Sequence, residues 1–507
     1  MSSSYGIAAV AFVSIATLAI GAYGWRFSRT TSDFFVASRS VRPALNASAI
    51  GGEYLSAASF LGVAGLVLAF GTQMLWYPVG WTAGYLMLLV LVAAPLRRSG
   101  AYTLPDFAEA RLESRPVRRF SSVLVVGIGW LYLMPQFQGA GLALGTVAGT
   151  ERWVGGTLVA VVVLVNVMSG GMRSITFVQA FQYWLKLTAL LVPVMFLLVV
   201  WAGDGAASPA EAATGGLGAD LWESPLASAS DHPVYATYSI IIATFLGTMG
   251  LPHVVVRFYT NPDGRAARRT TLVVLGLLGL FYLLPPVYGA LGRIYAPDLI
   301  GSGRADTVVL ELPSRMLPGI GGDLLSALTT AGAFAAFLST SSGLTIAVAG
   351  VLSQDVISRR FRGVRSFQAA AVVAVAVPLG LAVLADGVGV ARAVGLAFAV
   401  AASTFCPLLV LGIWWRRLTD VGAIAGMLVG GALSGLAVVD TLLRHQHSGW
   451  PAALLAHPAA WTVPAAFLTM VVVSLLTPRR LPVNLSRTMV RLHTPEAVDL
   501  DRGPYPL

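Results

Sequence analysis

The stretch GGEYLSAASFLG, residues 51–62, lies inside an apolar run from about Ala44 to Phe70, yet it opens with two glycines and a glutamate and carries serines at 56 and 59. A run of this length suits a membrane crossing, since a hydrocarbon core of ~30 Å takes roughly 20 helical residues. Entered from Pro43 at ~1.5 Å per residue, Glu53 lies ~15 Å deep, close to the midplane. A carboxylate there costs several kcal/mol unless it is paired, protonated or facing a cavity. Glycine weakens a helix by ~1 kcal/mol relative to alanine. Gly51 and Gly52 therefore predict a locally unwound helix with exposed carbonyls, which a membrane tolerates only beside a cavity.

Composition agrees with a membrane setting. Of 507 residues, 56% are hydrophobic and 11% charged, and the mean hydropathy is +0.76, whereas soluble proteins carry roughly 25% charged residues. The 54 glycines fit closely packed helices in lipid. Apolar segments fall at about 5–25, 43–71, 73–96, 120–147, 152–170, 174–201, 234–256, 270–293, 323–352, 367–386, 391–413, 420–441 and 459–477. The reading is an all-α polytopic membrane protein of about thirteen spans, with one transmembrane domain over 1–477 and a loosely ordered tail over 478–507. The single cysteine, Cys406, excludes an intrachain disulfide. The net charge of +10 is dispersed in short clusters between spans, with no basic stretch interleaved with base-stacking aromatics, so it signals topology and not nucleic acid.

Arginine sets the orientation. It follows spans one (Arg26, Arg29, Arg39, Arg42), three (Arg97, Arg98, Arg111, Arg115, Arg118, Arg119), seven (Arg257, Arg265, Arg268, Arg269), nine (Arg359, Arg360, Arg362, Arg365), eleven (Arg416, Arg417) and thirteen (Arg479, Arg480). The positive-inside rule places these ends in the cytoplasm, the N-terminus outside and the C-terminus inside a cell (inner) membrane.

The interruption of span two has a counterpart. In FLGTMGLPHVVVRF, 245–258, Gly247, Gly250 and Pro252 weaken the middle of span seven. Two broken helices, each opening a group of about five spans, point to a transporter built from inverted repeats, about 43–201 and 234–413, with its site at their interface. Span nine adds FLSTSSGLT, 337–345, whose hydroxyls read either as bonds to the preceding turn or as hard ligands for a small cation.

These segments, with NVMSGGMRSITFVQAFQ at 166–182, resemble the sodium:solute symporter family over about Ser32 to Thr477. SDFFVASRSV resembles the family's segment after its first helix, and GGMRS part of its signature, although Asn166 departs from it. YLSAASFLG, YTLPDFAEARL, GLPHVVVRF and GLAFAVAAS look most like its acetate and monocarboxylate permease branch. The resemblance implies the leucine-transporter fold, alternating access, and sodium as the coupling ion. It implies a sodium site at Gly52, Leu55, Ala336, Ser339 and Thr340. Relatives with a second sodium site carry Thr-Asp where this chain has Val178 and Gln179. By motif position, Ser59, Phe245, Thr248 and Met249 line the substrate pocket, with Tyr132 and Gln136 of span four beside them.

Three titratable residues remain. His253 reads as a donor to a carboxylate, a proton carrier or a structural partner across helices. Lys186, the chain's one lysine, lies ~18 Å into span six by helical rise and reads as snorkelling, as pairing with an acid, or as neutralising a substrate anion. Glu53 reads as the partner of a cation or the carrier of a proton. The function expected is sodium-coupled uptake of acetate or a similar small organic anion, propionate or pyruvate included. Proton coupling, or another solute such as proline or pantothenate, is the alternative, and a channel or membrane sensor the reading from another class. No nucleotide-binding loop, metal-binding His/Cys cluster or nucleophile motif marks an enzyme. Membrane lipid is the expected surrounding, with no obligate protein partner.

Overall fold

The computed structural model describes residues 4–25, 41–212, 222–226, 230–357, 364–384, 389–443, 447–496 and 498. SDFFVASRSV, apart from its last residue Val41, and Arg26, Arg29, Arg39, Arg359, Arg360 and Arg362 lie outside them.

All regular structure among the described residues is helical. Span one is Ser4–Gly24 and span three Thr72–Ser99; between them, Pro43–Tyr54 and Ala58–Phe70 form one crossing bent by 70°. Span four is Arg115–Ala148. The next stretch, Arg152–Gly203, runs for 52 residues, ~78 Å of helix and more than twice the hydrocarbon thickness. It is two spans, five and six, divided at Gly171 (φ 58°, ψ −159°). That backbone region is open essentially to glycine alone, which gives the Gly170–Gly171 pair its role: it turns the chain back between spans. Spans seven to thirteen are Pro233–Thr260, Gly264–Tyr295, Ile320–Val356, Val364–Leu384, Val390–Trp414, Asp420–Leu442 and Ala459–Leu476. Divided at Gly171, the described residues contain thirteen spans, the number expected.

The arginine-rich ends meet on one face. Arg97, closing span three, donates to the carbonyls of Asn261 and Pro262 after span seven. Arg111 donates to Gly412 O (2.6 Å) and Trp415 O (3.1 Å) at the end of span eleven. Arg118 pairs with Asp355 in the last turn of span nine at 2.7 Å, and Arg480 after span thirteen with Asp420 at 2.6 Å.

The tail departs from expectation. Leu485–His493 is helical, with Met489 and Leu492, three residues apart on one face, buried. Arg491 donates to Arg98 O (3.1 Å) and Glu496 meets Arg98 at 3.4 Å. The expectation of a loosely ordered end is corrected for this part: two apolar side chains on one helix face find a buried seat, and a neighbouring arginine anchors the exit.

Gly171→Ala should add strain of about 1–3 kcal/mol at the reversal. It should lower the thermal unfolding temperature and the monodisperse yield after detergent extraction. Gly276→Ala, on span eight with open space where a Cβ would stand, should lower neither, since alanine suits a helix interior better than glycine.

Candidate functional site

The glycines of span two do not unwind it. Pro43–Tyr54 is a regular helix through Gly51 and Gly52, and the break comes after them, where Leu55 leaves helical geometry (φ −73°, ψ 86°). What the glycines supply is closeness. A Cβ on Gly52 would overlap the Gln179 carbonyl of span six, and one on Gly51 would press the Tyr183 ring. Span two lies backbone-to-backbone on span six at this level. The second half restarts with one wide π-helical turn, Ala58–Gly62. Its freed amide at Ala57 donates to Gln136 Oε1 of span four at 3.1 Å. Gln136 is thus a brace for the break.

Span seven breaks as expected. Its helix ends at Gly250, Leu251 is extended (φ −71°, ψ 119°), and Pro252–Val256 resumes. The two broken helices are tied together. Tyr54 and Thr248 share a hydroxyl–hydroxyl bond of 2.9 Å, and Arg257 Nε reaches Glu53 Oε2 at 2.6 Å. Arg257 further donates to Thr176 Oγ1 (3.0 Å) and to Gln179 Oε1 of span six. Glu53 and Arg257 are both fully enclosed, 2% and 1% exposed at the side chain, and the Glu53 carboxylate lies where a Cβ of Gly343 would be. Arg257 belongs to this core and not to the arginine cluster beyond span seven in which the charge pattern places it. The misreading is natural, since its neighbours Arg265, Arg268 and Arg269 follow closely.

Of the five residues expected around a cation, Gly52, Leu55 and Ser339 offer oxygens that converge on one point between spans two and nine. Lys186 reaches them from span six: its Nζ donates to the carbonyl of Gly52, to Leu55 O (2.7 Å) and to Ser339 Oγ (2.9 Å). Ser339 Oγ donates to Ala336 O at 3.1 Å, and Thr340 Oγ1 to Glu53 O at 2.6 Å. Gln179 Nε2 donates to Ser339 O at 2.8 Å. The hydroxyls of Ser341, Ser342 and Thr345 have no partner in the protein.

Beside this set stands an aromatic chamber. Phe398 of span eleven is ringed by Tyr54 (6.4 Å between centroids), Trp81 (5.7 Å) and Tyr132 (5.9 Å). Tyr85 packs edge-on against Tyr54, Tyr282 lies over Trp81, and His253 meets Tyr132 edge-on at 5.2 Å. Ser59 Oγ bonds Tyr282 OH at 2.9 Å. Of the expected substrate residues, Ser59, Tyr132, Thr248 and His253 border this chamber. Met249 is buried next to Thr248, while Phe245 is half-buried and makes no ring contact with the group. Trp81, Tyr85, Tyr282 and Phe398 escaped the sequence reading. A signal existed: in GWTAGY, 80–85, glycines and aromatics each recur four residues apart. Gly80 and Gly84 admit Thr244 and Thr248 of span seven, which aligns Trp81 and Tyr85 on the neighbouring stripe.

The buried donors of the chamber are incompletely satisfied. Among the described residues Trp81 Nε1, the Tyr85 hydroxyl and both His253 ring nitrogens have no partner. Buried polar groups are normally hydrogen-bonded, so these four atoms are left unmet by the surrounding side chains.

The site combines a buried helix break, oxygens that converge beside it and an adjoining cluster of buried aromatic rings, and its relatives define the class. The chain matches the sodium:solute symporter family over residues 34–430, and it belongs to that family. It is 31% identical over 475 residues to the uncharacterized symporter YwcA of Bacillus subtilis (strain 168), covering 89% of this chain and 90% of that protein. Among solved structures it is similar to a Na+-coupled sialic acid symporter in a substrate-bound, outward-open state. The TM-score is 0.70 and the identity 16%, over 93% of this chain and 97% of that one. It is also similar to Mhp1, a nucleobase-cation-symport-1 transporter closed around bromovinylhydantoin, with TM-score 0.60 and 14% identity over 91% and 99% of the two chains. The fold is that of the leucine-transporter symporters, and the protein is a secondary active transporter, not an enzyme.

Removing one member of a buried ion pair costs about 3–5 kcal/mol, whereas replacing both with apolar groups is often neutral. Arg257→Met should therefore lower the unfolding temperature in detergent more than Glu53→Leu/Arg257→Met does. Equal loss in the two would show that the charges are not energetically paired.

Proposed function

We propose that this symporter imports a short monocarboxylate of the acetate, propionate and pyruvate class by alternating access. The observation that carries the reading is the unpartnered Trp81 Nε1–H among aromatic rings, with Tyr85 one helical turn on and His253 joined to the same cluster through Tyr132 and Phe398. An indole N–H only donates. A carboxylate offers acceptors for such groups, and a one- or two-carbon chain fits the ring faces. A sugar would need a fuller set of donors and acceptors than the chamber shows. An amino acid such as proline needs an anion for its ammonium, and the carboxylate at the break, Glu53, is engaged by Arg257. Pantothenate shares the carboxylate but brings hydroxyls and an amide that the rings do not match.

A cavity of about 420 Å³ supports an entry route. It is lined by Phe70, Tyr77, Thr244, Arg392 and His457, among others, at the face opposite the arginine-rich ends. Tyr77 packs on Trp81 at 5.5 Å, so the cavity stops at the chamber's wall. In this reading the arginine-rich face is cytoplasmic, the N-terminus is outside the cell membrane, and spans two to six and seven to eleven are inverted repeats over about 43–201 and 234–413. Sodium is the coupling ion in the family's name, and a proton is the alternative driver.

Labelled acetate should enter proteoliposomes under imposed sodium or proton gradients. Propionate and pyruvate should compete, and glucose and proline should not. Trp81→Phe, which keeps a ring and removes the donor, should raise the half-saturating acetate concentration about 10-fold, the equivalent of ~1.4 kcal/mol. Competition by proline or a sugar with none by monocarboxylates would overturn the assignment.

A further inference from the structure

The oxygens between spans two and nine already hold a cation that belongs to the chain. Lys186 is fully buried. Among the described residues no carboxylate lies within ion-pair distance of its Nζ; the carboxylate of the break is held by Arg257. It does not snorkel, because its head is directed into the protein, toward the Gly52 and Leu55 carbonyls and the Ser339 hydroxyl.

The hydrogen-bond pattern identifies the species at that point. The two carbonyls can only accept. The hydrogen of Ser339 is directed at Ala336 O, so its oxygen presents a lone pair to Nζ as well. Three acceptors converge on one nitrogen, which matches the three N–H donors of an ammonium; a neutral amine would turn a lone pair toward one of them. An ammonium and a sodium ion are both compact monovalent cations that seek hard oxygens, so one oxygen set suits either. Both cannot occupy it, since the nitrogen stands where the ion's contacts converge.

The surroundings are built to the same end. Gly52 lets span two lie on span six closely enough for a side chain from residue 186 to reach the break. Thr340, expected as a fifth ligand, turns its hydrogen to Glu53 O, and Gln179 accepts from Arg257. The positive charge at the break is thus supplied twice by the protein, through Lys186 and Arg257.

We propose that the Lys186 ammonium is a tethered cation that takes the place of sodium between spans two and nine, so that this position draws no sodium from solution. The inference is independent of the solute. It is tested without one, so its failure and that of the monocarboxylate assignment are distinguishable.

The test is sodium binding by the full-length protein in detergent at fixed pH and ionic strength. Radioactive sodium binding and thermal unfolding are read in sodium against choline chloride. The parent should show no sodium response that depends on Ser339. Lys186→Ala, which vacates the oxygens and removes the charge, should gain saturable sodium binding and a sodium-specific rise in unfolding temperature. Adding Ser339→Ala to it should weaken that affinity about 10-fold. Lys186→Gln, which keeps most of the stem and removes the charge, should gain the same stabilisation and covers the case in which the alanine variant does not fold. Recovery of either variant only when sodium is present during extraction also supports the proposal. Sodium binding by the parent that Ser339→Ala weakens overturns it, whether or not the Lys186 variants fold. Folded Lys186 variants without a gain in sodium binding overturn it as well.

Discussion

A charge inside a membrane protein must be met by other charges or by a dense set of dipoles, and the centre of this protein is arranged by that requirement. Three titratable side chains converge at the level where span two breaks. Glu53 and Arg257 neutralise each other at 2.6 Å. Lys186 is met by main-chain carbonyls, which only an interrupted helix can offer, because an intact one uses its carbonyls internally. The break and the lysine therefore depend on each other. The carbonyls of Gly52 and Leu55 would lack donors without the ammonium, and the ammonium would lack acceptors without the break. Span six, span nine and the second broken helix take their positions around this cluster through Gln179, Ser339 and Arg257.

The arrangement separates two duties that a symporter combines. Oxygens converging on a cation lie on one side of the broken helix, and unsatisfied donors among aromatic rings lie on the other. Tyr54 borders both, since it closes the first half of span two, bonds Thr248 and packs on Tyr85 and Phe398. A displacement of the Lys186 contacts at one side has a contiguous route to the rings through the helix end that carries Tyr54.

Much of the fold was legible in the chain. The thirteen apolar runs correspond to thirteen spans, and the odd–even arginine pattern to one shared face, because hydropathy and charge act locally and survive folding. The break in span seven was legible through Gly250 and Pro252. The break in span two was placed slightly early, since glycine signals both weakness and closeness, and only the neighbouring span six decides between them at Gly51 and Gly52. The motif resemblance named Gly52, Leu55 and Ser339, whose oxygens do converge on one point. Their occupant was not legible: the partners of Lys186 lie 131 to 153 residues away, and nothing local distinguishes a buried lysine that meets carbonyls from one that meets an acid. Arg257 was hidden for a different reason, as it ends a span whose following loop is itself rich in arginine. The ring cluster joins Trp81 of span three to Phe398 of span eleven, a contact between segments far apart in the chain that hydropathy and charge do not register.

The bonds between the broken helices bear on how the molecule moves. Asn46 with Asn261 at 3.2 Å, Glu53 with Arg257, and Tyr54 with Thr248 are three rungs at successive depths. A pair cross-linked at three heights resists shear, so spans two and seven form a single beam. Any rocking must then be taken up where that beam meets its bearings: Gln136 on span four, Ser339 and Thr340 on span nine, and Lys186 on span six. Of these, the lysine alone is hung on four methylenes. It is a spring among rigid pins, able to keep hold of the beam through an excursion that would part the shorter contacts.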